Sequence, residues 1–255
     1  MEYLRGVRVL RSDPNVGSKL LYGSLLVFVA GIIPLLPALV LNGWNALAMR
    51  RAAQNDDTLP RLDLDFDYYG KLLPIGFKVF IANLLWGLPL ALIIPVCGCS
   101  GWFATLTMAG VGAQGGGEAG GLAAVCAGIG FSVILIPLFI VLALPIQVAV
   151  IRVSLTDDLN SALRLGEVVA MTRMLVRELL VATVVMFGIG LVLALATMIT
   201  CGLAAIPGAV VIGVIQTYLS AEVYDQYLEK GGEPLPIGPT DYPPADQAAA
   251  APPTF

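Results

Sequence analysis

The chain has 255 residues, 58% hydrophobic and only 13% charged, with a formal net charge of −4. A soluble domain is about a quarter charged, so half that share with a mean hydropathy of +0.86 places the chain in the membrane class. It contains no histidine, which removes the commonest general base and metal ligand, and excludes a His-relay enzyme or an integral-membrane metalloprotease.

Residues 2–11 place Arg5, Arg8 and Arg11 at spacing three, with Tyr3, Leu4, Val7 and Leu10 on the other side of a helix. This pattern predicts a short amphipathic helix lying in a lipid interface, ended by Asp13-Pro14-Asn15. No cleavable signal peptide is expected, because no short apolar core with a small-residue cleavage site follows the basic start. The apolar run Leu20–Leu41 is interrupted by Pro34 and Pro37 and continues to Met49. Proline removes a backbone donor and bends a helix, so 20–49 reads either as a shallow re-entrant pair turning at Pro34–Pro37 or as one kinked span.

Residues 50–78 form a polar connection leading into an interfacial turn, FDYYGKLLPIGFK. Asp63, Asp65 and Asp67 resemble the start of a calcium loop, but Tyr68 and Pro74 stand where Gly and Glu are required. From Val79 to Ile151 there is no Lys or Arg, and Glu118 is the only acid. This stretch reads as two spans, Val79–Val96 and Leu122–Ile151, joined by a Gly-rich loop over 97–121. Residues 152–178 repeat the amphipathic lead-in, with Thr156, Asp157 and Asp158 as candidate helix caps. Leu179–Ile199 and Leu203–Leu219 then form a hairpin about Thr200-Cys201-Gly202. In its second arm Ala205, Ala209, Gly213, Thr217 and Ala221 recur every four residues, a candidate groove for close helix packing. Residues 230–255 hold seven prolines and read as a disordered Pro/Ala-rich tail after a single transmembrane domain, 1–229.

Cys97, Cys99, Cys126 and Cys201 fall near the uncharged helix ends. They read as small apolar fillers, with one or two disulfides as the alternative and sequence unable to choose the pairing. Asn83, Gln147, Gln216, Glu222 and Arg152 sit in or at the ends of spans and should face other helices, since an unpaired polar group in hydrocarbon costs several kcal/mol. All fourteen basic residues lie in the N-terminus, in 50–78, in 152–177 or at Lys230. Positive residues stay cytoplasmic, so both termini are expected inside and the loops 97–121 and 200–202 outside.

The stretches YLRGVRVLRSDPNVGSK, LPRLDLDFDYYGKLLPIGFK and the closing AEVYDQYL resemble the prokaryotic membrane-protein family catalogued as domain of unknown function 4013. The most specific piece is Leu59-Pro60, then acids, then Gly76-Phe77-Lys78; Val16 stands where that family often has an aromatic. The resemblance covers about residues 3–229 and implies a bacterial or archaeal integral membrane protein with no activity assigned.

The expectation is therefore an all-α polytopic membrane protein with about five to six membrane helices. They are arranged in hairpins over roughly 20–49, 79–151 and 179–222, with interfacial amphipathic helices. Its expected role is that of a non-enzymatic scaffold or assembly subunit of the cytoplasmic membrane. It would contact the lipid bilayer and other membrane proteins or its own copies, with no nucleic acid and no cofactor. The alternative is a transporter or permease subunit with a cavity between Pro-kinked helices.

Overall fold

The computed structural model describes residues 4–33, 35–63, 65–114 and 139–240, with side chains throughout except over 93–114. Among the described residues the chain is all-α, with nine helices. They are α1 Arg5–Ser12, α2 Val16–Ala30, α3 Leu35–Ala53, α4 Phe66–Gln114, α5 Phe139–Thr156, α6 Leu159–Leu163, α7 Leu165–Met174, α8 Val176–Ile199 and α9 Ala205–Glu229. Four are long and apolar enough to cross a membrane: α4 over Phe66–Leu92, α5, α8 and α9. Among the described residues four such helices stand beside the expected five to six, with α2 as a shorter apolar helix. Its 15 residues rise only about 22 Å at 1.5 Å each, short of a hydrocarbon core of about 30 Å.

The chain divides into two compact units, Met1–Asn83 with Gln147–Phe255, and Leu84–Ile146. The second lies inside the apolar block whose one charged residue is Glu118. In it α4 remains helical to Gln114, so residues 97–114 are helix where a loop was expected. The glycines here are single and lie among Ala, Leu, Met, Phe and Trp. In apolar surroundings a helix satisfies its backbone groups internally, which an open loop does not.

The first unit is built on α9, against which α1, α2, α3 and α8 all pack. Glycine permits three of these approaches. A Cβ at Gly6 of α1 would lie 2.8 Å from Ile215 Cα, and one at Gly23 of α2 would lie 2.9 Å from Val210 Cγ1. A Cβ at Gly208 would collide with the side chain of Leu193 on α8. A fourth crossing brings α3 onto the start of α4: a Cβ at Gly43 would strike the carbonyl of Leu72, and one at Gly76 the carbonyl of Leu39. The chain reverses between α2 and α3, and the two helices pack on each other, which favours the paired reading of 20–49 over a single kinked span. Trp44, Leu47, Leu72, Ile75, Ile151, Leu155, Tyr218 and Tyr224 are among the largest fully buried side chains.

Local chemistry sets the helix ends. Asp65 Oδ1 accepts from the amides of Asp67 (3.0 Å) and Tyr68 (3.2 Å), so the acidic run serves to start α4. Asp158 caps α6 by accepting from Asn160 N at 3.0 Å. The α8–α9 turn places Cys201 at φ 51° and Gly202 at φ 93°. Gly202 N donates to Thr197 O at 2.8 Å and Cys201 N to Met198 O at 3.3 Å, a Schellman closure whose left-handed position is held by Cys201 and not by a glycine.

The packed chain continues past Glu229. Gly238 N donates to Leu155 O at 2.7 Å and Leu235 N to Tyr224 Oη at 2.9 Å. Residues 231–240 therefore form a strap on the first unit, where the sequence places the start of the tail. The remaining residues, 241–255, lie outside the described ones.

Candidate functional site

One end of the first unit collects the charge. The last turns of α3, α5 and α9 and the first turn of α8 meet there with α1, α6, α7 and the strap. Cations are favoured beside helix C-termini, where unpaired carbonyls concentrate negative potential. Three arginines, each from a different helix, are almost wholly buried at this end: Arg5, Arg50 and Arg152.

Arg5 joins α1 to α9. Its Nε donates to Asp57 Oδ1 at 2.8 Å and its Nη2 to Ala52 O at 3.1 Å. Glu222 and Asp225 lie 3.4 and 3.5 Å from Nη1, and the guanidinium sits 5.9 Å from the Tyr218 ring centroid. Burial pulls the Arg5 pKa down, but the Asp57 hydrogen bond and the three carboxylate charges outweigh it and hold the pKa above its ordinary value. The basic stripe expected to face headgroups is thus split, with Arg5 turned inward and Arg8 and Arg11 outward.

Arg50 joins α3 to the end of α5 and to the strap. It donates to Ser154 O (2.6 Å) and Pro239 O (3.0 Å) and pairs with Asp157 at 3.2 Å. Asp157 also takes Lys78 of α4 at 3.1 Å, so three helices converge on one carboxylate. Arg152 donates to Ser161 O at 2.9 Å and pairs with Glu167, which Arg164 also reaches at 3.1 Å. The Arg164 hydrogen bond, opposed by desolvation and supported by the Arg152 and Arg164 charges, holds the Glu167 carboxyl below its usual range. Lys230 closes the set by donating to Met174 O (2.7 Å) and Glu178 (2.8 Å).

Three hollows adjoin this framework. A cleft of about 390 Å³ opens at the charged end between Arg152, Ser161, Arg164, Glu167, Tyr227 and Leu235. Its serine and threonine hydroxyls are engaged: Ser161 Oγ and Thr156 Oγ1 lie 2.9 Å apart, and Ser161 donates to Asp158 O at 2.6 Å. A smaller pocket of about 120 Å³ lies between α5, α8 and α9 and is lined by Gln147, Thr183, Gln216 and Ser220 among apolar side chains. Gln147 Nε2 lies 3.4 Å from Thr183 Oγ1. The third is an apolar groove of about 460 Å³ between α1, α8 and α9, lined by Leu4, Val7, Val185, Val192, Gly208 and Ile215 among others.

The residues singled out from sequence are distributed as follows. Of the four-residue repeat on α9, Thr217 and Ala221 are buried, a Cβ at Gly213 would lie 3.3 Å from Asn45 Nδ2 of α3, and Ala205 and Ala209 are exposed. Cys201 is exposed in the α8–α9 turn. The side chains of Cys97, Cys99 and Cys126 lie outside the described residues, and the pairing question with them. Asn83 donates to Val79 O on its own helix at 3.2 Å. The Arg50–Asp157–Lys78 junction and the Gly43–Gly76 crossing were not found from sequence. A single glycine inside each of two apolar helical patterns was the available signal for the crossing.

A family model described as "Protein of unknown function (DUF4013)" matches residues 26–202, more than half of the chain. No curated protein and no solved structure matches it.

Proposed function

The chain belongs to the DUF4013 family of proteins of unknown function, and from that premise we propose that it is a non-enzymatic, multi-pass component of the cytoplasmic membrane. It acts as a scaffold or assembly subunit through helix contacts. The observation that carries this reading is the contrast between its two kinds of surface. Each buried arginine at the charged end is engaged in ion pairs and carbonyl bonds that tie helix ends together. On α8, by contrast, only 11% of the most apolar window is buried. Val184, Phe187, Leu191, Leu195 and Met198 make an exposed stripe on that helix, the face such a subunit would offer to a neighbouring span. The charge distribution supports cytoplasmic termini, with the α2–α3 and α8–α9 turns directed away from the cytoplasm.

Affinity purification in mild detergent tests the proposal. A membrane partner or a second copy should co-purify in fixed ratio, and Phe187→Ala with Leu191→Ala should reduce its recovery. A monomer without partners that moved a polar solute across proteoliposomes would overturn it. The pocket of Gln147, Thr183, Gln216 and Ser220 is the observation favouring that second reading, a permease subunit, since amides and hydroxyls within an apolar layer suit a polar solute. In that case Gln216→Leu should abolish uptake.

A further inference from the structure

We propose that the apolar groove between α1, α8 and α9 holds one acyl chain of an anionic phospholipid, whose phosphate is met by Arg8 and Arg11. The inference rests on placing α8 and α9 in a bilayer with the charged end among headgroups; it does not depend on the scaffold role.

The groove has a blind end. At Gly6, α1 crosses α9 with the two backbones in contact. Leu4 and Val7, on the other side of α1, are exposed at 62% and 42% and wall the groove there. Leu4, Val7, Arg8 and Arg11 stand at i, i+3, i+4 and i+7 and are all exposed, so the two arginines share the side of Leu4 and Val7, where the sequence pattern predicts opposite sides. Arg8 shares Asp57 with Arg5 but keeps 57% of its side chain exposed, and Arg11 is exposed. An apolar trough thus begins beside two outward guanidiniums.

Length decides the occupant. Along α8 the lining runs from Val185 to Ala196, about 16 Å at 1.5 Å per residue. A spanning helix needs about 30 Å of apolar contact, and one leaflet's acyl chain occupies about half of that. A partner helix following the groove would meet α1 at its end. A lipid whose headgroup sits at α1 would not. Charge points the same way, because guanidiniums bind phosphate oxygens with geometric fit.

Gly188 supplies the means of testing this. It lines the groove, and a Cβ there would meet nothing within 4 Å, so Gly188→Phe fills the groove without disturbing the helices. The full chain is purified in mild detergent, exchanged into a mixture of phosphatidylglycerol and phosphatidylcholine, and read by native mass spectrometry. Wild type should retain one phosphatidylglycerol in preference to phosphatidylcholine. Gly188→Phe should retain neither, while keeping the wild-type melting temperature after complete delipidation. Arg8→Gln with Arg11→Gln should lose the headgroup preference, by about fivefold per arginine, the scale of one basic group's attraction to anionic lipid. Equal retention of the two lipids, or undiminished retention by Gly188→Phe, would overturn the proposal. So would a wild-type dimer that Gly188→Phe turns into a monomer, since the groove would then be covered by a second copy. Failure of the chain to float with vesicles would remove the bilayer placement itself; floating without a retained lipid removes only the groove's occupant.

Discussion

At the scale of single residues, the buried arginines explain why the charged end is a fixed structure and not a loose polar cap. Removing a charge from water costs several kcal/mol, and only close partners offset it. Arg50, at 0% exposure, has two carbonyls and Asp157. Arg50→Ala leaves Asp157 with Lys78 alone and frees the strap, and should cost about 1.5–3 kcal/mol, the scale of a hydrogen bond to a charged group, measured by unfolding in detergent. The same variant should be cleaved faster beyond Lys230 under limited proteolysis; an unchanged cleavage rate would mean the strap is held without Arg50. Glu167 makes a pH-dependent contribution. Its folded pKa lies below the reference 4.5, so its stabilisation is present above about pH 4.5 and is lost as pH falls through the lower folded value. Wild type should therefore melt above Glu167→Gln at pH 7, and the gap should close below that range. The arginines themselves were legible in the sequence, but their partners were not. Arg5 and Glu222 are 217 residues apart, and a count of charges assigns an end of the molecule without saying which side chains turn inward.

At the scale of elements, helix approach is decided by the absence of side chains at chosen points. Gly43 and Gly76 let α3 and α4 meet backbone to backbone, so Gly76→Ala places a methyl against the Leu39 carbonyl. Backbone cannot yield as a side-chain tip can, and the cost should be at least the 1–3 kcal/mol typical of overpacking. Gly70→Ala, on the same helix with nothing within 4 Å of the added Cβ, should be neutral or stabilising by about 0.5–1 kcal/mol. Equal melting temperatures for the two variants would show that the crossing is slack. The positions of α2, α8 and α9 were legible from apolar runs and breaks. The continuation of α4 to Gln114 was not, because its glycines read as a loop, whereas glycines standing singly in a helical pattern are tolerated. The α9 repeat was legible as a spacing, yet its packing partners differ along its length. Ala205 and Ala209 are exposed while Thr217 and Ala221 are buried.

At the scale of the whole molecule, the arrangement is a gradient from charge to hydrocarbon along the helices of the first unit. The starts of α2, α4 and α8 and the ends of α3, α5 and α9 share the charged end, and the α2–α3 and α8–α9 turns carry no charge. Lipid can cover exposed side chains such as Phe28, Ile32, Phe187 and Ile199, whereas water would expose them at about 25 cal/mol per Å² of apolar area. The gradient makes a topological prediction. In a chain whose other cysteines are replaced, Cys201 in the α8–α9 turn should react with an impermeant maleimide added outside intact cells. A cysteine in place of Arg11 or Glu229 should react only after the membrane is opened, if both stand, as the positive-inside bias predicts for the charged end, in the cytoplasm. The two classes of site are separated by the length of α9, 25 residues or about 37 Å at helical rise. That exceeds the hydrocarbon core and leaves no depth at which both could be reached from one side. Labelling of Cys201 and the Glu229 site from the same face would mean that α9 does not cross, and the charged end would then have to be read as one lip of a protein lying on the membrane surface.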